Sequence, residues 1–249
     1  MSFIAELHAM IGARKKMTSP LYQVILAGDA SQHLLRNFVI HRYPIKNFWT
    51  RNIMGIASRV EDYELRASLV ENIYEEETGG LTNSQRHLNS FAAFGKSVGV
   101  RPQEFTDAPL LPETRQVIEH NVSVCNGSEH FTYGVASVLL LMEGQPPILS
   151  SRKESMLSVM QEKYKLPEYG YEYFVHHASA LAGDEHVSEL EDEHAKVAEE
   201  LLVRYCNTHE MQERAKFFLT RAIEHRHAHF DAIYRNFYNP EDKPFRFCQ

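Results

Sequence analysis

The stretch Phe131–Met142 constrains this chain more than any other. Its apolar residues run all the way round a helix instead of along one stripe, which demands burial on every side. A buried helix needs others packed around it, and the rest of the chain offers them. Helical periodicity marks Phe3–Lys16, closed by Ser19-Pro20. It marks Ser31–Val60 as one long stretch with Pro44 as its break, and Glu61–Glu77 with Leu65, Leu69 and Ile73 at spacing four. Gly79-Gly80 ends that helix, and Asn83 or Ser84 can cap the next, which runs to about Val98. Pro112–Asn126, Ser151–Tyr164, Tyr171–Cys206 and Glu210–Phe237 complete the set. Strand-like alternation bounded by turns is almost absent. The expected fold is therefore all-α: one single-domain helical bundle of seven to nine helices over residues 1–249, with 1–18 and 239–249 peripheral.

Composition narrows the partners. A chain of 249 residues with 43% hydrophobic and 24% charged residues can bury a real core and is not disordered. A net charge of −7 argues against nucleic acid and against an anionic membrane surface, both of which attract Lys and Arg. The longest apolar run, Val135–Met142, is far too short to cross a bilayer, and the N-terminal MSFIAELHAMIGARKKM has no apolar segment of a signal peptide. Cys125, Cys206 and Cys248 form no CxxC pair and read as reduced thiols, so a cytoplasmic location is expected. The aromatic content is compatible with pairing into a homodimer.

Candidate chemistry lies where carboxylates and histidines meet inward faces. Glu143 directly follows Val138-Leu-Leu-Leu-Met142, where an ionised carboxylate is costly without a cation or hydrogen bonds to compensate it. In Glu75-Glu76-Glu77, adjacent residues stand about 100° apart. Glu76 continues the Leu65–Leu69–Ile73 stripe at spacing three and Glu77 at four. His87 follows across the Gly turn. Further on, Glu191 and His194 are three apart and share a face, a spacing that recurs as Glu-x-x-His in di-iron bundles. His186 lies eight before His194, about 80° round and roughly 12 Å along a helix, so the two could flank a pair of metals. His177 is a reserve imidazole. The tract His225-Arg-His-Ala-His229 scatters its rings and reads as mainly surface. A set of carboxylates and imidazoles suits iron or manganese better than zinc.

Further residues carry a resemblance. Asn72-Ile-Tyr-Glu-Glu-Glu-Thr-Gly-Gly80, His87-Leu-Asn-Ser-Phe91, Ser97-Val-Gly-Val100, Ile45-Lys-Asn-Phe48, Glu143-Gly-Gln145 and Gly170-Tyr-Glu-Tyr-Phe174 together resemble the heme-oxygenase-like helical superfamily. Within it the chain is most similar to the pyrroloquinoline-quinone-synthase-like proteins and the dimetal oxidase branch of the chlamydial death-domain-associating protein, related to the thiaminase II (TenA) fold. The resemblance spans about Leu34 to Tyr205. It implies metal ligation by Glu76, His87, Glu143, His186, Glu191 and His194. The final motif departs from the family: Glu191 stands where Asp is usual, and Val187 stands where the first His is expected.

The function this reading implies is an iron-dependent, non-heme dimetal oxidase or oxygenase acting with O₂ on a small organic substrate. One or two iron ions, or manganese, would be held. Tyr43 and Lys46 are the candidate catalytic residues, Lys46 to meet a substrate carboxylate and Tyr43 to relay an electron or proton, with Trp49 beside them in the pocket. Two alternatives belong to other classes. One is a cofactorless quinone-synthase-like oxidase; the other is a non-catalytic helical interaction protein that keeps the fold.

Overall fold

The computed structural model describes residues 2–143, 155–179 and 196–248, without the side chains of Glu143 and of residues 176–179. Its helices begin on side chains that the sequence supplies for the purpose. Ser2 opens α1 (Phe3–Ala13) by accepting from Ala5 N. Ser19, with Pro20 in the first turn, opens α2 (Pro20–Ala27), and Ser31 opens α3 (Gln32–Asn47). Asp62 opens α5 (Tyr63–Thr78) and Thr208 opens the longest helix, His209–Phe237. Each cap satisfies a backbone donor that the first turn leaves orphaned.

The other helices are α4 (Trp49–Ala57), α6 (His87–Ser97) and α7 (Pro112–Asn126), with one short turn, Glu104–Asp107, before α7. Helix α8 joins Thr132–Gly134, a π-helical segment Val135–Leu139, and Leu140–Glu143. Helix α9 likewise runs from Met156–Ser158 into a π segment, Val159–Lys163. Then come α10 (Glu168–Ser179), α11 (196–205) and α12 (His209–Phe237). No strand occurs among the described residues.

The helices outnumber the expected seven to nine because long periodic stretches divide. Ser31–Val60 is two helices, and the division is not at Pro44. Helix α3 runs through Pro44 to Asn47, and Phe48 ends α3 and begins α4. Proline removes only its own donor, while Phe48 N still reaches Pro44 O at 3.2 Å. Buried Ile40 and Ile45 hold the helix on both sides of the proline.

Two apolar cores form. The first collects Leu7 and Ile11 of α1, Ile53 and Ile56 of α4, Leu65 and Leu69 of α5, most of α8, Leu201 and Leu202 of α11, and Leu219 and Ile223 of α12. The second collects α2, Leu34 to Ile40 of α3, Phe91 and Phe94 of α6, α9, Tyr173 and Phe174 of α10, and Phe230 and Ile233 of α12. Helix α12 therefore spans both cores, and α8 is as deeply buried as its sequence requires.

Between Ile223 and Phe230 the buried face of α12 turns polar. Arg226, His227 and His229 are all buried, so the histidine tract expected at the surface is mostly inside. Arg226 and His227 both donate to Arg14 O at 3.0 Å, tying the end of α1 to α12. Thr114 Oγ1 lies 3.1 Å from His229 Nδ1 and 3.3 Å from His41 Nδ1. One hydroxyl has one proton, so it donates to at most one ring, and at least one of the two imidazoles carries its proton on Nδ1. Burial pushes the pKa of His41 down to about 4 and that of His229 well below its usual value.

The sign of the linkage follows from these depressed values. The unfolded chain binds protons from about pH 6.5 downward while the folded chain does not, so stability falls as pH falls from 6.5 towards 4. His120, His130, His225 and His227 are shifted in the same direction. His41 alone contributes on the order of 3 kcal/mol by pH 4. Urea unfolding at pH 7, 6 and 5 should show a steady loss of stability. A flat profile over that window would contradict the buried neutral dyad.

Candidate metal centre

Helix α5 belongs to the first core and α6 to the second, and the turn between them carries the three glutamates and His87. The buried face of α5 runs Leu65, Leu69, Asn72, Glu75. That is a 3.6-residue stripe, and it places Glu75 inward, not Glu76 or Glu77 as the Leu65–Leu69–Ile73 spacing suggests. The Glu75 carboxylate is 5% exposed. It accepts from Leu81 N at 2.8 Å, Thr82 N at 3.3 Å and the Thr82 hydroxyl, which supplies the hydrogen bonds a buried charge needs. Gly79 ends α5 at φ +67, and a Cβ there would lie 2.5 Å from Ser84 O, so only glycine fits.

With the turn fixed, Glu76 Oε2 stands 3.1 Å from His87 Nδ1, and Glu75 Oε1 stands 3.8 Å from His87 Nε2. Burial opposes a charge on His87, but the hydrogen bond and charge of Glu76, with the charge of Glu75, outweigh burial and the opposing charge of Lys46. The net effect raises its pKa. Glu77 turns elsewhere: it accepts from the Thr50 hydroxyl of α4 and pairs with Arg86 at 2.7 Å. The Gln85 amide donates to Glu172, linking the turn to α10.

Lys46 on α3 approaches the same region. Its ammonium donates to the Tyr173 hydroxyl of α10 and sits 5.2 Å from the Phe91 ring centroid. Tyr43 packs its ring against Phe105 with centroids 4.6 Å apart, and Trp49 packs against the first core. Glu143 is the last described residue of α8, downstream of the π segment in which Leu140 N bonds Val135 O. Such π segments insert one residue into the turn and often accompany functional sites. The Glu143 side chain, together with His186, Glu191 and His194, lies outside the described residues, as does the side chain of His177.

The structure thus brings Glu76, His87 and Lys46 into one region. Sequence reasoning missed Glu75, because a glutamate on an apolar stripe looks like a phase error. It also missed Tyr173 as the partner of Lys46, although Gly170–Phe174 was among the segments carrying the family resemblance. Among the described residues, no group of three His, Cys, Asp or Glu is placed to hold a metal ion by itself. The donor pair itself suits a metal. Two cis ligands on an octahedral ion, each at roughly 2.1 Å, stand about 3.0 Å apart, and Glu76 and His87 are separated by 3.1 Å.

The helical bundle of the described residues is heme-oxygenase-like, as the solved structures that share it show. Residues 36–227 match the family of iron-containing redox enzymes, and the chain belongs to that family. Over 180 residues it is 24% identical to a 4-aminobenzoate synthase of Chlamydia muridarum (strain MoPn / Nigg), covering 72% of this chain and 73% of that protein. Solved structures share the fold at low identity. A TenA homolog from Pseudomonas syringae pv. tomato superposes with a TM-score of 0.71 at 13% identity, over 94% of this chain and 93% of the other. A heme-oxygenase-like domain from Shewanella denitrificans gives 0.67 at 14% identity, covering 93% and 90%. A CADD-like protein from Nostoc punctiforme gives 0.67 at 11%, covering 95% and 97%. No described helix is long and apolar enough to cross a membrane.

The two carboxylates beside His87 should separate by experiment. Glu75→Ala removes the acceptor for three donors and should cost about 2–4 kcal/mol in urea unfolding. Glu76→Ala, on a partly exposed pair, should cost less than about 1 kcal/mol. Equal losses in the two variants would show that Glu75 does not hold the turn.

Proposed function

We propose that this protein is an iron-dependent oxidase or oxygenase that acts with O₂ on a small organic substrate. The observation that carries the reading is the Glu76–His87 pair, with donor atoms 3.1 Å apart at the junction of α5 and α6, in a chain of the iron-containing redox enzyme family. Glu76 and His87 would hold one side of the iron. Glu143, His186, Glu191 and His194 are the proposed remaining ligands, enough for one or two ions. Iron bound there would supply the activation of O₂ and the electrons or oxidising power that helical side chains lack.

The chain's own residues then have defined parts. His87 must shed its proton to ligate, and the two glutamates beside it balance the metal's charge. Lys46 offers a cation beside His87 for a substrate carboxylate, with Phe91 and Tyr173 as apolar walls that keep water from it. The Tyr173 hydroxyl, held by the Lys46 ammonium, fixes where that cation sits. Glu75 keeps the turn, and so the distance between Glu76 and His87, constant.

The test is elemental analysis of protein from iron-supplemented cells. One to two iron per chain are expected, with most of the iron lost in His87→Ala and in Glu76→Ala while circular dichroism stays helical. Iron content unchanged in His87→Ala would sink the assignment. No metal in any of the three proteins would instead favour the cofactorless or non-catalytic alternatives.

A further inference from the structure

The three histidines at the end of the alternating tract have different surroundings. His227 is spent on Arg14 O and His229 on Thr114. His225 turns the other way, to His120 on α7. Their ring centroids are 5.3 Å apart with planes at 49°. They line a groove of about 320 Å³ between α7 and α12, together with Glu119, Ser123, Phe218 and Arg221. His120 Nε2 is buried and has no hydrogen-bond partner among the described residues. A buried ring nitrogen without a partner is uncommon and calls for a ligand.

We propose that His120 and His225 form a two-imidazole site for a late first-row divalent ion, copper(II) or zinc(II), on different helices from the Glu76–His87 pair. Metal–nitrogen bonds of roughly 2.0–2.1 Å, at angles between square-planar and tetrahedral, set two imidazole centroids about 4.5–5.2 Å apart. The observed centroid separation of 5.3 Å lies close to that range. Glu119 lines the groove, and Glu224 pairs with Arg221 at 3.0 Å, which blunts that guanidinium. Burial, followed by neighbouring positive charge, lowers the pKa of both histidines, that of His120 to about 4. Both rings are then neutral at pH 7, the form that ligates. No third His, Cys, Asp or Glu joins them among the described residues. The remaining positions belong to water, so the ion exchanges readily and copper(II) binds more tightly than zinc(II).

The test is titration of the full-length, metal-free chain with copper(II) chloride, followed by electron paramagnetic resonance. One equivalent should show coupling to two nitrogens. His120→Gln and His225→Gln should each weaken it about 100-fold or more, since even outer-sphere changes cost 10–100-fold, and His87→Ala should leave it unchanged. His225 is partly exposed, so its variant folds even if His120→Gln does not. An unchanged titration and spectrum in His225→Gln, or loss of the same equivalent in His87→Ala, would overturn the proposal.

Discussion

A buried carboxylate cannot remain charged without partners, and the placement of Glu75 is the constraint on which the centre depends. Its two oxygens take the backbone N–H groups of Leu81 and Thr82 and the Thr82 hydroxyl, which fixes the path of the chain after Gly79. Helix α6 has no side-chain cap at its start. Its position is set instead by the turn before it and by Arg86 held against Glu77. Adjacent helical residues point about 100° apart, so three successive glutamates must find three separate partners. Glu75 holds the turn, Glu76 faces His87, and Glu77 ties to α4 and Arg86. Glu75 and Glu77 are held by the turn, by α4 and by Arg86, and Glu76 is the one whose carboxylate meets His87 Nδ1.

Much of the fold was legible, because a 3.6-residue period and a helix apolar on every face admit few arrangements. The phase of α5 was not. Leu65, Leu69 and Ile73 fit one stripe, and Leu65, Leu69, Asn72 and Glu75 fit another a little round the helix. The second wins because Glu75 can be buried once Leu81 and Thr82 reach its carboxylate from beyond the helix, and no local pattern encodes such partners. The approach of His87 to Glu76 was legible, since a short glycine turn keeps their separation small. The partnership of Lys46 with Tyr173 joins residues 127 apart in sequence, and nothing nearby announces it. Pro44 misled for a related reason: local rules weigh the lost donor, whereas buried flanking residues decide whether the helix continues.

The two-core architecture explains why polar groups gather where they do. Helix α12 cannot be uniformly apolar if it crosses from one core to the other, because the crossing is where loops and helix ends bring carbonyls inward. Arg14 O is one such carbonyl, and it is answered by Arg226 and His227. Helices α5 and α6 meet across a comparable boundary, with Glu75 receiving the turn's N–H groups. In both places the protein buries polar side chains because backbone polar groups are already there.

The contrast among the histidines carries this further. His41, His120 and His229 sit where burial opposes a charge and no carboxylate answers it, so they stay neutral. His87 is buried too, yet Glu76 and Glu75 reverse the balance. Carboxylates that favour a proton on an imidazole act on any nearby cation by the same electrostatics. Among the described histidines, His87 is set apart by its carboxylate neighbours and not by its burial or its place in a histidine-rich tract.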